Sequence, residues 1–194
     1  MNSKTKKLTV MAMLVAISVV LVYLIHFPIF PAAAFLEYDP ADIPILICTF
    51  AYGPLAGILV TVVAAVIQGF TVSASSGLYG ILMHVIATAT LVVMAGSIYR
   101  AKHTKLGAVA GLVSGTVAMA VMMMIANHFI TPAFMGAPVA VVDAMLLPVI
   151  LPFNLVKAGI NSVVTFLVYK TVSRYIIHGK AEMGKKASLK EQEN

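Results

Sequence analysis

Tryptophan is absent from this sequence, cysteine occurs once, and charged residues make up only 10% of the chain. The single cysteine, Cys48, excludes a disulfide within the chain and any metal site built from cysteines. Soluble domains carry about 25% charged residues, so this low charge content excludes a globule that faces water on all sides. Without tryptophan, tyrosine and phenylalanine are the aromatic residues left to anchor the chain at a membrane surface.

Motifs of common catalytic sites are absent as well. The sequence has no GxxxxGK[ST] loop for nucleoside triphosphates, no HExxH helix for zinc and no GxSxG nucleophile turn. No pair of carboxylates occurs inside an apolar segment. We therefore expect no catalytic site, no metal site, no resident cofactor and no enzymatic activity. If this protein moves a solute uphill, the energy would have to come from another protein.

Apolar residues dominate what is present, at 61% of the chain with a mean hydropathy of +1.01. Six apolar segments predict an all-α membrane protein with six transmembrane helices. They span residues 8–27, 42–53, 54–72, 78–99, 106–127 and 150–175. The second segment is short for a span, and the prolines between 128 and 152 predict a structured loop there. We expect a single domain over 1–178 and a polar, disordered cytoplasmic tail over 179–194.

The basic residues indicate which loops face the cytoplasm. Lysine and arginine cluster near both termini and at 100–105, whereas Glu37, Asp39, Asp42 and Asp143 lie in loops without basic residues. The positive-inside rule therefore places both termini in the cytoplasm of a multi-pass plasma-membrane protein. Because the basic residues flank membrane segments and form no groove-sized patch, the net charge of +6 does not indicate nucleic-acid binding.

Once the residues that flank the apolar segments are set aside, one charged residue, Lys157, remains inside a segment. A lysine there costs about 3 kcal/mol on insertion scales, so such residues are functional by default; the alternative is a side chain that reaches the membrane surface. Asn154, Lys157 and Asn161 occupy positions i, i+3 and i+7 and share one helix face. That face must meet other helices, water or a ligand. A hydrogen-bonded seam between helices is the alternative to a binding site.

Other polar residues are predicted at the same depth. Asn127 closes the fifth segment, Gln68 lies in the outer third of the third, and His84 lies two turns into the fourth. Each alone could satisfy a backbone carbonyl. Together with Asp39 and Tyr38 in the first outer loop, they predict a ligand pocket that opens on the non-cytoplasmic side. The inner half of the segments has almost no polar side chain beyond serine and threonine, which disfavours a proton pathway.

Four stretches are typical of a known family. They are FLEYDPADIPILI at 35–47, YGPLAGILV at 52–60, NHFITPAFMG at 127–136 and LPFNLVKAGINS at 151–162. These stretches resemble the riboflavin-binding S component of the energy-coupling factor (ECF) vitamin transporters. The resemblance implies a six-helix bundle with a vitamin pocket near the extracellular surface, built from the first loop and the last three helices. Carried over by motif, Asn127, Asn154, Lys157 and Asp39 would contact the ligand, whereas the other candidates come from the polar pattern alone.

The first predicted helix carries Ala12 and Ala16, two small residues four positions apart. Such pairs let helix backbones approach closely, and packing inside the chain is one explanation. The pair is also similar to the motif that S components use against their membrane partner. The resemblance thus implies docking of a transmembrane T component, which acts with two ATPase subunits.

Riboflavin suits the predicted pocket chemically. An asparagine amide can both donate and accept hydrogen bonds at the flavin ring, and lysine can donate to a ring carbonyl. We expect a subunit that binds riboflavin from outside the cell. An S component for another vitamin or small heterocycle is the nearest alternative. A proton-coupled secondary transporter is a further alternative, which the lack of carboxylates inside the apolar segments disfavours.

Overall fold

The computed structural model describes residues 3–30 and 33–173, which are almost entirely helical. In chain order the elements are α1 (Ser3–Leu24), β1 (Phe27–Pro28), β2 (Glu37–Tyr38), α2 (Asp42–Tyr52), α3 (Pro54–Phe70), a 3₁₀ turn (Ala74–Ser76), α4 (Gly77–Ala101), α5 (Lys105–Met135), α6 (Val139–Met145), a π-helical segment (Leu146–Ile150) and α7 (Leu151–Ser173). The tail predicted over 179–194 lies outside the described residues.

Four helical stretches of the described chain are long and apolar enough to cross a membrane: Lys4–Leu24, Ala74–Ala101, Lys105–Met135 and Val139–Tyr169. Helices α2 and α3 are apolar but have only 11 and 17 residues. An 11-residue helix rises about 16 Å, roughly half the bilayer core. Instead of facing lipid, α2 is enclosed by the bundle, with Ile45, Leu46 and Cys48 fully buried. The prediction of an all-helical membrane bundle is confirmed, and four of the six predicted spans have the necessary length.

The prediction of a loop across 128–152 is wrong. Helix α5 continues through Pro132 and ends where Gly136 takes a left-handed conformation with φ 61°. Pro138 then occupies the position just before α6, where a helix needs no N–H donor. Pro148 lies in the π-helical segment, whose wider turn accommodates a missing backbone hydrogen bond. The prolines therefore lie within or next to helical segments, and α6 leads through the π-helical segment directly into α7.

Glycines let α5 lie close against α4. Gly111 and Gly115 are buried on α5, and a Cβ atom added to Gly111 would lie 2.7 Å from the carbonyl oxygen of Ala95 on α4. Leu91, Val92 and Ala95 are fully buried on the facing helix. Small residues that permit close backbone approach are a common means of packing helices in membranes.

We expect Gly111→Ala to destabilise the protein by about 1–3 kcal/mol, because the added methyl group meets backbone atoms that cannot move aside. Gly159→Ala on α7 is the matched control, since nothing lies within 4 Å of its added Cβ and alanine favours a helix. Thermal unfolding in detergent can be followed with a fluorogenic thiol reagent, because the free thiol of Cys48 is buried. Equal unfolding midpoints for the two variants would contradict this account of the α4–α5 contact.

The first loop, between α1 and α2, is held against one end of the bundle. Phe27 pairs with Tyr38 across an antiparallel hairpin, and their ring centroids lie 5.4 Å apart. Apolar residues of the loop form a second core with α6, the π-helical segment and α7. Its buried members are Ala33, Leu36, Val142, Ile150 and Phe153. This packing positions the polar residues that follow β2 beside the N-terminal half of α7.

Candidate ligand-binding site

A cavity of about 160 Å³ lies between the first loop and helices α3, α4, α5 and α7. Its polar wall is formed by Glu37, Asp39, Gln68, Ser73, Ser76, Tyr79, His84, Thr88, Asn127, Thr131, Asn154 and Lys157. Its apolar wall is formed by Phe35, Leu36, Ala65, Gly69, Gly80, Ile81, Met83, Ala87, Met119, Met123, Ile130, Phe134 and Phe153. An apolar enclosure with a few convergent polar groups is typical of small-molecule sites.

Lys157 points into the protein and forms an ion pair with the first loop. Its Nζ lies 2.6 Å from Asp39 Oδ2 and 3.4 Å from the carbonyl oxygen of Glu37, and both charged side chains are only 12% exposed. Lys157 therefore does not extend to the membrane surface, which was the alternative that the sequence left open. Burial alone would raise the pKa of Asp39, but the Lys157 ammonium and the hydrogen bonds from Lys157 and Ala41 bring the pKa below its usual value. Asp39 is therefore ionised at neutral pH.

Asn161 lies behind this ion pair and does not line the cavity. Its Nδ2 donates to the carbonyl oxygen of Asp39 and to Asp42 Oδ2, at 3.0 and 2.9 Å. Its Oδ1 accepts from the Tyr38 hydroxyl at 3.1 Å. Thr88 on α4 donates to the other oxygen of Asp42 at 2.6 Å. This fully buried network joins the first loop to α2, α4 and α7, so the structure brings Asn161 to the loop anchor and not to the cavity.

Tyr38 can act only as a donor in this network. Burial, followed by the nearby charge of Asp39, raises the pKa of its hydroxyl above the usual value. The hydroxyl therefore stays protonated and donates to Asn161 at any physiological pH. Asp42 begins α2, where the positive end of the helix dipole favours a carboxylate.

Asn127 and Asn154 do line the cavity, and each is oriented by its own helix. Asn154 Nδ2 donates to the carbonyl oxygen of Ile150 in the π-helical segment, at 2.8 Å. Asn127 Nδ2 donates to the carbonyl oxygen of Met123, and its Oδ1 accepts from Thr131, both at 2.7 Å. The Asn127 and Asn154 side chains are 1% and 2% exposed. Each amide is therefore held in place and keeps some hydrogen-bonding capacity for a ligand.

Gln68 and His84 complete the polar wall on α3 and α4. Gln68 Nε2 lies 3.5 Å from Ser18 Oγ, which donates to the carbonyl oxygen of Ala41 at 3.1 Å. His84 Nε2 is buried and has no hydrogen-bond partner. Among the described contacts, neither side chain satisfies a backbone carbonyl, the alternative that the sequence left open. Six of the seven predicted ligand residues thus line one cavity, and the seventh supports it.

A family model described as "ECF transporter, substrate-specific component" matches residues 6–169. The chain belongs to this family. It is similar to riboflavin transporter RibU of Staphylococcus aureus, with 29% identity over 89% of this chain and 93% of that protein. It is also similar to riboflavin transporter FmnP of Bacillus subtilis, with 32% identity over 89% of this chain and 95% of that protein.

The fold is similar to that of a solved S component of a bacterial ECF transporter, with a TM-score of 0.79 and 28% identity. That similarity covers 90% of this chain and 99% of the solved one. The resemblance predicted from four sequence stretches is confirmed, as is a substrate-binding role in transport in place of an enzymatic one. The chain is a multi-pass membrane protein and a substrate-specific component.

The alanine pair of the first helix lies on an exposed surface of this chain. Ala12 and Ala16 are both exposed on α1. Larger apolar side chains beside them, Met13, Ile17 and Val20, are 58%, 46% and 54% exposed. The alanine pair therefore does not pack inside the chain, which was the alternative explanation for it.

Sequence reasoning missed much of the apolar wall of this S component. Met119 and Met123 precede Asn127 at intervals of four on α5, and Thr131 follows at the same interval, so all four share a helix face. This spacing of four could have predicted, from the sequence alone, that the two methionines line the same wall as Asn127. Tyr79 and Phe134, whose ring centroids lie 5.7 Å apart, come from two helices and leave no such pattern.

Proposed function

We propose that this S component binds riboflavin from the extracellular side and delivers it together with a transmembrane T component and two ATPase subunits. One observation carries the proposal: a buried lysine and two oriented asparagine amides meet at a cavity whose wall also holds aromatic and methionine side chains. The names of its relatives, both riboflavin transporters, support the choice of ligand.

The ligand contacts follow from which hydrogen-bonding groups remain available. Lys157 has three N–H donors and uses one at 2.6 Å and one at 3.4 Å, so a third can reach a ring carbonyl. Asn127 and Asn154 supply the donors and acceptors for the remaining edge of the ring. Phe153 and the α5 methionines cover the ring faces, and Gln68 with the neighbouring serines takes the ribityl hydroxyls.

The proposed arrangement in the plasma membrane has six spans and both termini in the cytoplasm. Helices α2 and α3 are the two short spans, and burial of α2 inside the bundle removes its need to match the bilayer thickness. The loop with Arg100, Lys102 and Lys105 then faces the cytoplasm, which agrees with the positive-inside rule. In this arrangement the cavity, which Asp39 and Glu37 border, opens at the opposite end.

Purified protein in detergent is expected to quench flavin fluorescence at one riboflavin per chain, because ring stacking and exclusion of water change the flavin environment. A titration measures this directly, with thiamine and biotin as competitors that should not restore fluorescence. Protein that leaves riboflavin fluorescence unchanged but releases another vitamin on denaturation would point to an S component for that vitamin.

An uptake assay distinguishes this proposal from the alternative of a proton-coupled secondary transporter. We expect vesicles that contain this chain alone to accumulate no riboflavin under a proton gradient. Vesicles that also contain the T component and ATPases should accumulate it when ATP is supplied. Gradient-driven uptake by the chain alone would contradict the proposal.

A further inference from the structure

His84 Nε2 is the one buried side-chain nitrogen or oxygen that lacks a hydrogen-bond partner in the part of the chain that the structure describes. The neighbouring buried groups are paired: Asp42 and Asn161 bond each other, and Asn127 bonds Thr131. An unpaired buried ring nitrogen in a wall of paired groups calls for an explanation. His84 also borders the cavity, so binding of a ligand there can change the contacts of its side chain.

Of the two carboxylates that interact electrostatically with His84, Asp39 borders the cavity and Asp42 does not. Asp42 accepts from Thr88 and Asn161. Asp39 accepts from the Ala41 N–H at 3.0 Å and from Lys157 at 2.6 Å, whereas a carboxylate has about four acceptor positions. Asp39 also borders the cavity and interacts electrostatically with His84.

Lys157 links this acceptor to the ligand. Its ammonium holds Asp39, and under the proposed function it also donates to the guest. A guest carbonyl that takes the third N–H of Lys157 draws the ammonium away from Asp39 and lengthens their 2.6 Å contact. A buried carboxylate whose donor is weakened gains from another donor. His84 Nε2 is the buried side-chain atom of the described wall that has no hydrogen-bond partner, so His84 can supply that donor.

The geometry points to an exchange of partners: when a guest engages Lys157, His84 Nε2–H donates to the Asp39 carboxylate and takes over part of the lysine's role. This inference rests on the proposed function only in taking riboflavin as the guest. His84 is then a positioning residue that ties the first loop to α4 in the loaded state. It strengthens binding without touching the flavin.

A double-mutant cycle tests this exchange. His84→Ala is expected to raise the riboflavin Kd about tenfold, the effect of one hydrogen bond to a charged group. In an Asp39→Asn background the same substitution should change Kd by less than about twofold, because the acceptor charge is gone. In an Asn154→Ala background it should retain the about tenfold effect. A tenfold effect in both backgrounds would overturn the exchange, and His84→Gln, which keeps a donor, should restore near-native affinity.

Nitrogen NMR of ¹⁵N-histidine-labelled protein tests it without relying on affinity. The Nε2 signal of His84, assigned by its loss in His84→Gln, should move to the position of a hydrogen-bonded N–H when riboflavin is added. The same move is expected in ligand-free Lys157→Met, because Asp39 has then lost its lysine. If the His84 Nε2 signal moved in Lys157→Met but not on addition of riboflavin, the exchange of partners would be supported and riboflavin would be contradicted as the ligand. No move in either sample would overturn the exchange.

Discussion

Replacing Lys157 with alanine is expected to raise the Kd for riboflavin by about 100-fold and to lower the free energy of unfolding by about 3–5 kcal/mol. Both losses come from one amine. It is the proposed donor to the flavin ring, and it is also the counter-charge of Asp39, at 2.6 Å. Without it, a carboxylate that is only 12% exposed keeps its charge in a low-dielectric wall. Fluorescence titration and thermal unfolding measure the two effects.

Lys102→Ala is the matched control for the loss of a lysine. Lys102 is exposed at the C-terminal end of α4, far along that helix from His84 and the cavity. Substitutions at such surface positions change stability by about 0.5 kcal/mol or less. Equal losses of stability in the two alanine variants would contradict the structural role of the ion pair.

A double variant separates the two roles of Lys157. Lys157→Met combined with Asp39→Leu removes both charges, and apolar replacement of a whole buried pair is often neutral or stabilising. We expect near-native unfolding temperature together with lost riboflavin binding. Recovery of both properties would show that the amine supports the fold alone and does not bind the flavin.

Periodicity predicted the important face of α7 but not what that face meets. The spacing of Asn154, Lys157 and Asn161 correctly placed all three toward the interior. Their partners lie in the first loop, and Lys157 and Asp39 are 118 positions apart in sequence. No local pattern encodes such a pairing. The sequence therefore could not distinguish Asn161, which holds the loop, from Asn154, which borders the cavity.

Proline content misled the prediction for 128–152 for a physical reason. A proline removes one N–H and crowds the preceding turn, which favours a helix end. In a membrane bundle, however, an exposed backbone is costlier than a distorted helix, so Pro132 and Pro148 are accommodated within helical segments. Ile150, the last residue of the π-helical segment, accepts the side-chain hydrogen bond of Asn154 through its carbonyl oxygen. The proline-containing segment, which was predicted to be a loop, thus helps to orient Asn154 in the cavity wall.

Replacing Ala12 and Ala16 together with leucine is expected to abolish ATP-driven riboflavin uptake while leaving riboflavin binding unchanged. Both alanines are exposed on α1, so the larger side chains fit the isolated chain without strain. At a contact that requires close backbone approach, the same side chains hold the helices apart. Overpacking costs about 1–3 kcal/mol, which would weaken docking of the T component by about 5–150-fold.

Ala110→Leu is the control for a bulkier lipid-facing surface, since Ala110 is exposed on α5 and outside the α1 face. Uptake by vesicles that contain the T component and ATPases, and retention of those subunits on the purified chain, measure docking. Fluorescence titration of each chain alone measures binding. Loss of uptake in both leucine variants would indicate a general requirement of the membrane-facing surface. Loss confined to the α1 variant locates docking on α1, because only there does added volume enter a contact between two proteins and not between protein and lipid.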